Sequence, residues 1–294
     1  MISVVIPLYN KQSCIGSTIE SVLNQSYQNF EVIVVDDGST DGSADVVRQI
    51  QDPRIRLIQK SNGGVSSARN AGIRQSKSEL IAFMDADDLW SSEYLQEIDR
   101  LNSAFPDAAI MGTSYYLLKG GNQAVTNNKL PKGYVGIVDN VRWEYGHLYW
   151  TSAVCCKKSA LEEVGMFDER IAYGEDTDVW WRIMLKYPAA YSNKPLAVYR
   201  FDEENRAMNK RIPLEKLYVY YFEKYAEDRK ANEAFRHFID KECMWWLYPY
   251  LLDGNNRAEV ARIVSQIDFS EYKFSFWFRF HFPELYNKIR KFGR

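Results

Sequence analysis

Two carboxylates one residue apart, Asp85-Ala86-Asp87, follow the apolar run Leu80 to Met84, and Asp88 comes directly after them. Carboxylates at this spacing in a turn can reach one hard divalent cation. Mg2+ and Mn2+ take oxygen ligands near octahedral geometry, one or two from protein and the rest from phosphate and water. Asp85 and Asp87 suit that role, with Asp88 as a spare or supporting group. An ion there would bridge a diphosphate and offset the charge growing on its leaving group. The plain alternative is a solvated turn capping a helix that begins near Ser91. The buried run before the acids favours the ion, because it fixes them at the mouth of a sheet.

Three other clusters carry polar chemistry. Asp36-Asp37-Gly38-Ser39-Thr40-Asp41 offers a carboxylate that can accept a hydrogen bond from a uracil-like N–H. Its plain alternative is an Asx-turn with a helix cap at Asp41 or Ser43. Asn62 to Gly72 couples a Gly63-Gly64 turn to a helix start that favours phosphate, and Arg69 adds a forked donor. Its plain alternative is a helix whose small residues pack against the sheet, and Gly64 is read as structural. Tyr173-Gly174-Glu175-Asp176-Thr177-Asp178 places Asp176 in the first turn of a helix, where the ionised carboxylate is favoured. An ionised acid can take a proton from an attacking hydroxyl; simple capping is the alternative. One such base plus an assisted leaving group suffices for direct displacement at an anomeric carbon.

The elements that must position these residues alternate. Apolar runs at Ile2 to Ile6, Phe30 to Val35, Ile55 to Ile58 and Leu80 to Met84 are separated by helical spacings at Ile15 to Leu23, Ala44 to Ile50 and Val65 to Ile73. Fully apolar strands alternating with helices predict a parallel sheet covered on both faces, with ligands at the strands' C-terminal ends. Tyr9-Asn10 and both early acid clusters stand at those ends. Farther on, Ile110 to Leu118, Tyr134 to Val138, Ser152 to Cys156 and Leu196 to Phe201 read as strands, Gly120 to Gly133 as a loop, and Ser159 to Val164 and Asp176 to Tyr187 as helices. Near residue 205 the pattern changes to helices rich in aromatics, which divides the chain into 1–205 and 206–294.

Composition narrows the classes. A 46% hydrophobic content allows a sizeable core, and a net charge of −2 argues against nucleic acid as a partner. Cys14, Cys155, Cys156 and Cys243 form no CxxC pair, which with three His argues against a zinc site or disulfide framework and for a reducing, cytoplasmic setting. Ile2 to Tyr9 reads as a strand rather than a signal peptide, and no apolar run approaches the roughly 18 residues of a spanning helix. The absence of Gly-x-Gly-x-x-Gly and of Gly-Lys-Ser/Thr excludes a dinucleotide oxidoreductase and a P-loop ATPase.

Taken together and in order, Val4-Val5-Ile6-Pro7-Leu8-Tyr9-Asn10, Val34 to Asp41, Asn62 to Gly72, Met84 to Asp88, Gly165-Met166-Phe167-Asp168 and Gly174 to Asp178 resemble glycosyltransferase family two over about residues 1–200. The resemblance implies an inverting enzyme of GT-A fold: a Rossmann-like mixed sheet covered by helices, here with an aromatic-rich, mainly helical C-terminal extension. It implies that Pro7, Tyr9 and either Asp36 or Asp37 contact the nucleoside, and that Arg69 lies along the nucleotide. Asp85, Ala86 and Asp87 then hold the nucleotide-sugar, Asp85 and Asp87 carry Mn2+ or Mg2+, Asp176 is the base, and Glu175 and Trp150 lie on the acceptor side. Many relatives place a His after the Tyr-Arg of the last strand; here Tyr199-Arg200 is followed by Phe201-Asp202, and Asp202 is the candidate substitute. The Gln-x-x-Arg-Trp motif of processive relatives is absent, so a single sugar is expected to move, and the donor the resemblance implies is a UDP-sugar. The resemblance further implies a saccharide acceptor on a lipid-diphosphate carrier, in O-antigen or capsule synthesis at the inner face of the cytoplasmic membrane; a homo-oligomer is compatible with it. The rivals are a sugar nucleotidyltransferase, whose Gly-rich signature after strand one is missing, and a nucleotide-sugar-binding scaffold, which predicts damaged acids.

At the end of the chain, Phe274, Phe276, Phe278, Phe280 and Phe282 share one parity, and Lys288, Arg290, Lys291 and Arg294 follow. A strand would gather these phenylalanines on one face, whereas a helix would spread them around its circumference. Aromatic plus basic character suits an anionic bilayer or a lipid-linked acceptor; a core strand or dimer interface is the plain alternative. Trp245-Trp246 and Tyr218-Tyr220-Tyr221 are read as helix packing.

Overall fold

The computed structural model describes residues 1–126, 128–138, 148–201, 212–252 and 254–292. The chain divides into two compact units, Met1–Arg211 and Ile212–Arg294. The expected boundary near residue 205, like Asp202, lies outside the described residues.

The first unit begins with the predicted alternation: β1 (Ile2–Leu8), α1 (Ile15–Leu23), β2 (Phe30–Asp36), α2 (Ser43–Gln49), β3 (Ile55–Gln59), α3 (Val65–Gln75) and β4 (Leu80–Phe83). These strands pair in parallel in the order β3-β2-β1-β4. Every residue of β1, β2 and β4 is buried, as their largely apolar runs require, and the polar Ser3 and Glu31 bond each other at 2.7 Å. Ile2, Val4, Ile6 and Leu8 face one core with Ile15, Ile19 and Val22 of α1, while Ile33 and Val35 pack with Ala68 of α3 on the other side. Pro7 is tolerated inside a central strand for a local reason. Val5 O accepts from Met84 N on the β4 side and Leu8 O from Asp37 N on the β2 side. By alternation the backbone of Pro7 faces β4, whose pairing with β1 ends at Val5, so no ladder N–H is required of it.

Beyond β4 the sheet becomes mixed, as the GT-A resemblance implies, while the parallel arrangement read from the strand–helix alternation holds for its first four strands. The later elements are β5 (Leu89–Trp90), α4 (Tyr94–Ala104), β6 (Ile110–Lys119), β7 (Asn122–Val125), β8 (Val135–Val138), β9 (Val154–Lys157), α5 (Lys158–Glu163), α6 (Glu175–Met184) and β10 (Ala189–Arg200). β9 lies antiparallel between β4 and β6, β10 is parallel to β6, and β5 and β8 pair antiparallel with β10. The expected helix near Ser91 starts instead at Tyr94, because Leu89 and Trp90 are drawn into the sheet, where Trp90 stacks on Tyr94 at 4.1 Å and donates to Ser152 O at 2.6 Å. The expected 120–133 loop contains β7, a hairpin partner of β6 turned by Gly120 and Gly121, both at positive φ.

The second unit is helical: α7 (Ala226–Ala231), α8 (Glu233–Leu251), α9 (Arg257–Val264), α10 (Phe274–His281) and α11 (Pro283–Phe292), preceded by a 3-10 segment Tyr218–Tyr225. Asn232 caps α8 by accepting from Phe235 N at 3.0 Å. Its core joins Tyr218, Phe222, Tyr225, Phe235, Met244 and Ile263, all buried. The phenylalanine alternation is therefore helical and its strand reading is overturned. Trp245, expected in packing, is 65% exposed. No described helix is long and apolar enough to cross a membrane. The four cysteines are free and buried.

Gly72 shows how closely α3 lies on β1: a Cβ there would stand 2.3 Å from Val5 Cγ1. Val5 is β-branched in a buried strand and has little freedom to move aside. Gly72→Ala is expected to lose about 1–3 kcal/mol of stability through overpacking, despite the better helix propensity of alanine. Introducing Val5→Ala should return part of that loss, a coupling that urea unfolding of the double-mutant cycle measures.

Candidate active site

Bonds between distant segments gather the polar clusters at the C-terminal ends of the parallel strands. After β1, Tyr9 is 48% exposed and Asn10 is in the left-handed region. Asn10 N donates to Ser39 Oγ and Asn10 Oδ1 accepts from Thr40 N at 2.8 Å. Lys11 N donates to Ser43 Oγ, and Gln12 N to Asp41 Oδ2. Asp41 also accepts from Ser43 N, as the Asx-turn alternative requires; these bonds outweigh burial and lower its pKa. The β1–α1 loop is thus stapled to the β2–α2 turn.

The two acids ending β2 do different things. Asp37 Oδ1 takes Lys60 Nζ at 2.5 Å and Gly63 N at 3.0 Å, and its Oδ2 takes Gly64 N at 2.7 Å. Asp37 therefore builds the glycine turn that starts α3. Asp36 takes one bond on each oxygen, from Ser39 N at 3.0 Å and Gln59 Nε2 at 3.0 Å. A carboxylate offers about four acceptor positions, so Asp36 keeps the greater spare capacity. Pro7 has its ring buried in the sheet.

The Asp85–Asp88 loop is held from two sides. Thr18 Oγ1 of α1 bonds Ala86 O at 3.0 Å and Asp88 O at 2.9 Å. Ser152 Oγ accepts from Asp85 N at 3.0 Å and donates to Asp88 Oδ2 at 2.6 Å. Arg200 adds a bond from its side chain to Asp87 O and one from its backbone N to Asp88. Ala86, expected among the donor contacts, has its methyl in the core and its carbonyl bonded by Thr18. Asp88 is 1% exposed and takes one bond on each oxygen, and burial, reinforced by Asp85 and Asp87, holds its pKa well above the usual carboxylate range.

Asp85 Oδ1 accepts from Arg69 Nη2 at 2.8 Å, and Asp87 Oδ2 from Lys11 Nζ at 2.6 Å. Asp85 Oδ2 and Asp87 Oδ1 accept no hydrogen bond among the described residues. Burial raises the pKa of Asp85 against the pull of Arg69, and Asp87 and Asp176 raise it further. Two hard oxygens without a hydrogen bond, on acids close enough for Asp87 to raise the proton affinity of Asp85, suit a divalent cation by donor chemistry. Among the described residues no group of three or more His, Cys, Asp or Glu forms a cage on its own.

Arg69, expected along the nucleotide, bridges two carboxylates. It is 3% exposed, and its other end, Nη1, donates to Glu175 Oε1 at 2.7 Å. Burial opposes its charge, but Asp85, Glu175 and Asp176 outweigh that and raise its pKa. Its guanidinium lies over the Phe167 ring at 5.3 Å, and its Nε has no partner among the described residues. Asp176 stands in the first turn of α6, where its carboxylate accepts from Thr151 Oγ1 at 2.8 Å and Thr177 N at 2.7 Å. Beside it Trp150 sits between Tyr115 and Tyr199, each 4.6 Å away by ring centroid. Burial, Tyr199 and the charges of Asp176 and Asp88 push the Tyr115 hydroxyl up to about 12. Lys11, Thr18, Tyr115, Ser152 and Arg200 were not singled out from sequence. Each lies far in sequence from the acids it serves, and only the hydroxyl or cation itself could have signalled it.

Residues 3–165 match the family described as Glycosyl transferase family 2. The Bacillus subtilis minor teichoic acid biosynthesis protein GgaA is 31% identical over 63% of this chain and 44% of its own length, so the chain spans less than half of that relative. An Escherichia coli protein named UDP-Glc:alpha-D-GlcNAc-diphosphoundecaprenol beta-1,3-glucosyltransferase WfaP is 27% identical over 71% of this chain and 81% of its own. The crystal structure of S. aureus TarS 1-349 in complex with UDP-GlcNAc superimposes with a TM-score of 0.74 over 89% of this chain and 79% of that one, at 18% identity. That likeness shows a shared GT-A fold.

Glu175 generates a pH signature. Burial lifts its pKa to about 7 against the pull of Arg69, and the neighbouring Asp176 adds to the rise. Between its ordinary value and about 7 the folded protein holds a proton that the unfolded chain has lost, so stability falls as pH rises through that window and levels above it. Glu175→Gln should flatten the fall. Urea unfolding is expected to show a decrease from about pH 5 to about pH 8 that is larger in the wild type by up to about 3 kcal/mol. Equal slopes in the two proteins would remove Glu175 as the source.

Proposed function

Because this chain belongs to glycosyl transferase family 2, we propose that it moves a single sugar from a UDP-sugar to a hydroxyl of a lipid-linked saccharide, with inversion at the anomeric carbon. The observation that carries the reading is the placement of Asp176. It stands at the N-terminal end of α6, on a chain segment separate from Asp85 and Asp87, yet within electrostatic reach of Asp85 through the Arg69 bridge.

In this reading the nucleoside lies over the ends of β1 and β2, against the exposed Tyr9 ring and beside Pro7. Asp36 rather than Asp37 accepts from the base N–H, because Asp37 is occupied by the Gly63-Gly64 turn. Asp85 and Asp87 would hold Mg2+ or Mn2+ through their free oxygens; bound there, the ion supplies charge neutralisation for the leaving diphosphate. Lys11 adds a positive charge at the same edge. Trp150, flanked by Tyr115 and Tyr199, gives the acceptor an aromatic wall, and Glu175, paired with Arg69, lies on the same acceptor side. Asp176 takes the proton of the acceptor hydroxyl as its oxygen bonds to the anomeric carbon. The bond from that carbon to the diphosphate oxygen breaks with its electron pair, and UDP leaves. One in-line displacement inverts the configuration and needs no covalent intermediate.

The names of GgaA and WfaP support a surface-polymer or lipid-diphosphate acceptor, and the UDP-GlcNAc complex of TarS supports a uridine donor. An acceptor of that kind confines the reaction to the inner face of the cytoplasmic membrane.

Asp176→Asn keeps the side chain's shape and removes the proton acceptor. Its kcat should fall by about 10²–10⁴-fold, while calorimetric binding of UDP-GlcNAc or UDP-glucose with Mn2+ stays within a small factor of wild type. Asp87→Asn should instead weaken that binding, and EDTA should abolish turnover of the wild type. Proton NMR of the product should show the anomer opposite to the donor's. Retained configuration, or near-normal turnover in Asp176→Asn, would exclude this assignment.

A further inference from the structure

The outer side of α10 and α11 carries an apolar stripe that is exposed among the described residues of the helical unit. Tyr248 of α8 fastens the inner sides of both helices. The Arg279 guanidinium lies over its ring at 3.6 Å, Phe280 meets it at 5.9 Å, Tyr286 meets it at 6.1 Å, and its hydroxyl donates to Asn287 Oδ1 at 2.9 Å. With those residues turned inward, the helical period turns the others outward. Phe274 is 71% exposed, Phe282 48%, Leu285 49% and Ile289 56%. Half-buried Trp277 and Phe278 join them, and Phe274 stacks on both at 5.3 and 6.1 Å. Phe278 continues to Phe282 at 5.6 Å. Phe274 and Phe278 are one turn apart in α10, Leu285 and Ile289 one turn apart in α11, and Phe282 stands between the two helices.

The charge around this stripe selects its partner. From Lys273 to Arg294 the sequence holds six basic residues and one acidic residue, Glu284, in a chain whose net charge is −2. Lys273 and Lys288 are exposed beside the stripe. A second copy docked through a two-fold axis would set these like charges against each other, whereas an anionic bilayer complements them. Neither helix is long and apolar enough to span a membrane, so the fitting geometry is in the plane of the interface, with the apolar side among the acyl chains and the lysines at the phosphates.

We infer that α10 and α11 form an interfacial anchor that binds anionic phospholipid through Phe274, Phe278, Phe282, Leu285 and Ile289. The inference deepens the reading of a membrane-linked acceptor, and its test uses neither donor, acceptor nor turnover, so the two stand or fall separately.

The four native cysteines are free and at most 2% exposed, so Phe274→Cys in the full chain can be labelled selectively with an environment-sensitive fluorophore. On vesicles of phosphatidylcholine with phosphatidylglycerol, the labelled protein should co-sediment and its emission should shift to the blue. Vesicles of phosphatidylcholine alone should bind it about tenfold more weakly or less, as should the anionic vesicles with Lys273→Glu/Lys288→Glu. Leu285→Ser/Ile289→Ser should lose binding while keeping the wild-type thermal unfolding curve. Indifference to anionic vesicles, or binding with no spectral shift at position 274, would overturn the anchor. A blue shift accompanied by a doubled mass without vesicles would assign the face to a second copy and overturn it too.

Discussion

The candidate site depends on one buried cation. Arg69 spans from Asp85, at the end of β4, to Glu175, at the start of α6. Removing Arg69 would leave both carboxylates without their cation in a nearly dry place, at a cost of several kcal/mol. The planar fork of a guanidinium can bond two carboxylates at a defined separation, which an ammonium on a flexible stem cannot reproduce. The distance between the donor side and the proposed base is therefore set inside the protein. Phe167 beneath the guanidinium and Asn70, bonded to the backbone of Phe167 in both directions, join the same helix to the segment leading into α6.

Around that bridge the acids divide their labour according to burial. Asp37 and Asp88 are almost fully enclosed and spend their oxygens on backbone N–H groups, Lys60 and Ser152. They build the turns. Asp85 and Asp87 each give one oxygen to a cation and keep the other open. A charged ligand entering such a site meets groups already oriented, so less reorganisation remains for the reaction itself. Ser152 is central because its hydroxyl and carbonyl serve Asp85, Asp88 and Trp90 at once; this fixes the acidic loop against β9 and the Trp150 wall.

The two units use aromatic residues for opposite purposes. In the first, Phe83, Phe167 and Trp180 pack edge to face within the core, and Tyr115, Trp150 and Tyr199 stand beside the proposed base. In the second, rings fill a small helical core and then continue onto its surface along α10 and α11. Residues 3–165 carry the family match, so α6 and the whole helical unit lie beyond it, and what they do has to be argued from their own side chains.

By itself the sequence determined the alternating half of the fold and the identities of the acids. Largely apolar runs such as Ile2 to Ile6 and Phe30 to Val35 favour a central strand covered on both faces, and Asp-x-Asp or Gly-Glu-Asp clusters directly after strands or before a helix stand out locally. The mixed half was less legible, because β5, β7 and β9 are only two to four residues long and owe their existence to partners distant in sequence. Only the tertiary structure decided what each acid does. Asp36 and Asp37 are neighbours of the same type, and their difference comes from Gly63, Gly64 and Lys60, which reach one and not the other. Arg69 reads as a phosphate ligand by spacing, and becomes a bridge because Glu175, 106 positions away, arrives at its free end. The phenylalanine alternation has strand period, yet it forms a helix whose inner side is fixed by Tyr248. A period of two constrains which side chains share a face only once the backbone has chosen to be extended, and here packing against α8 made that choice.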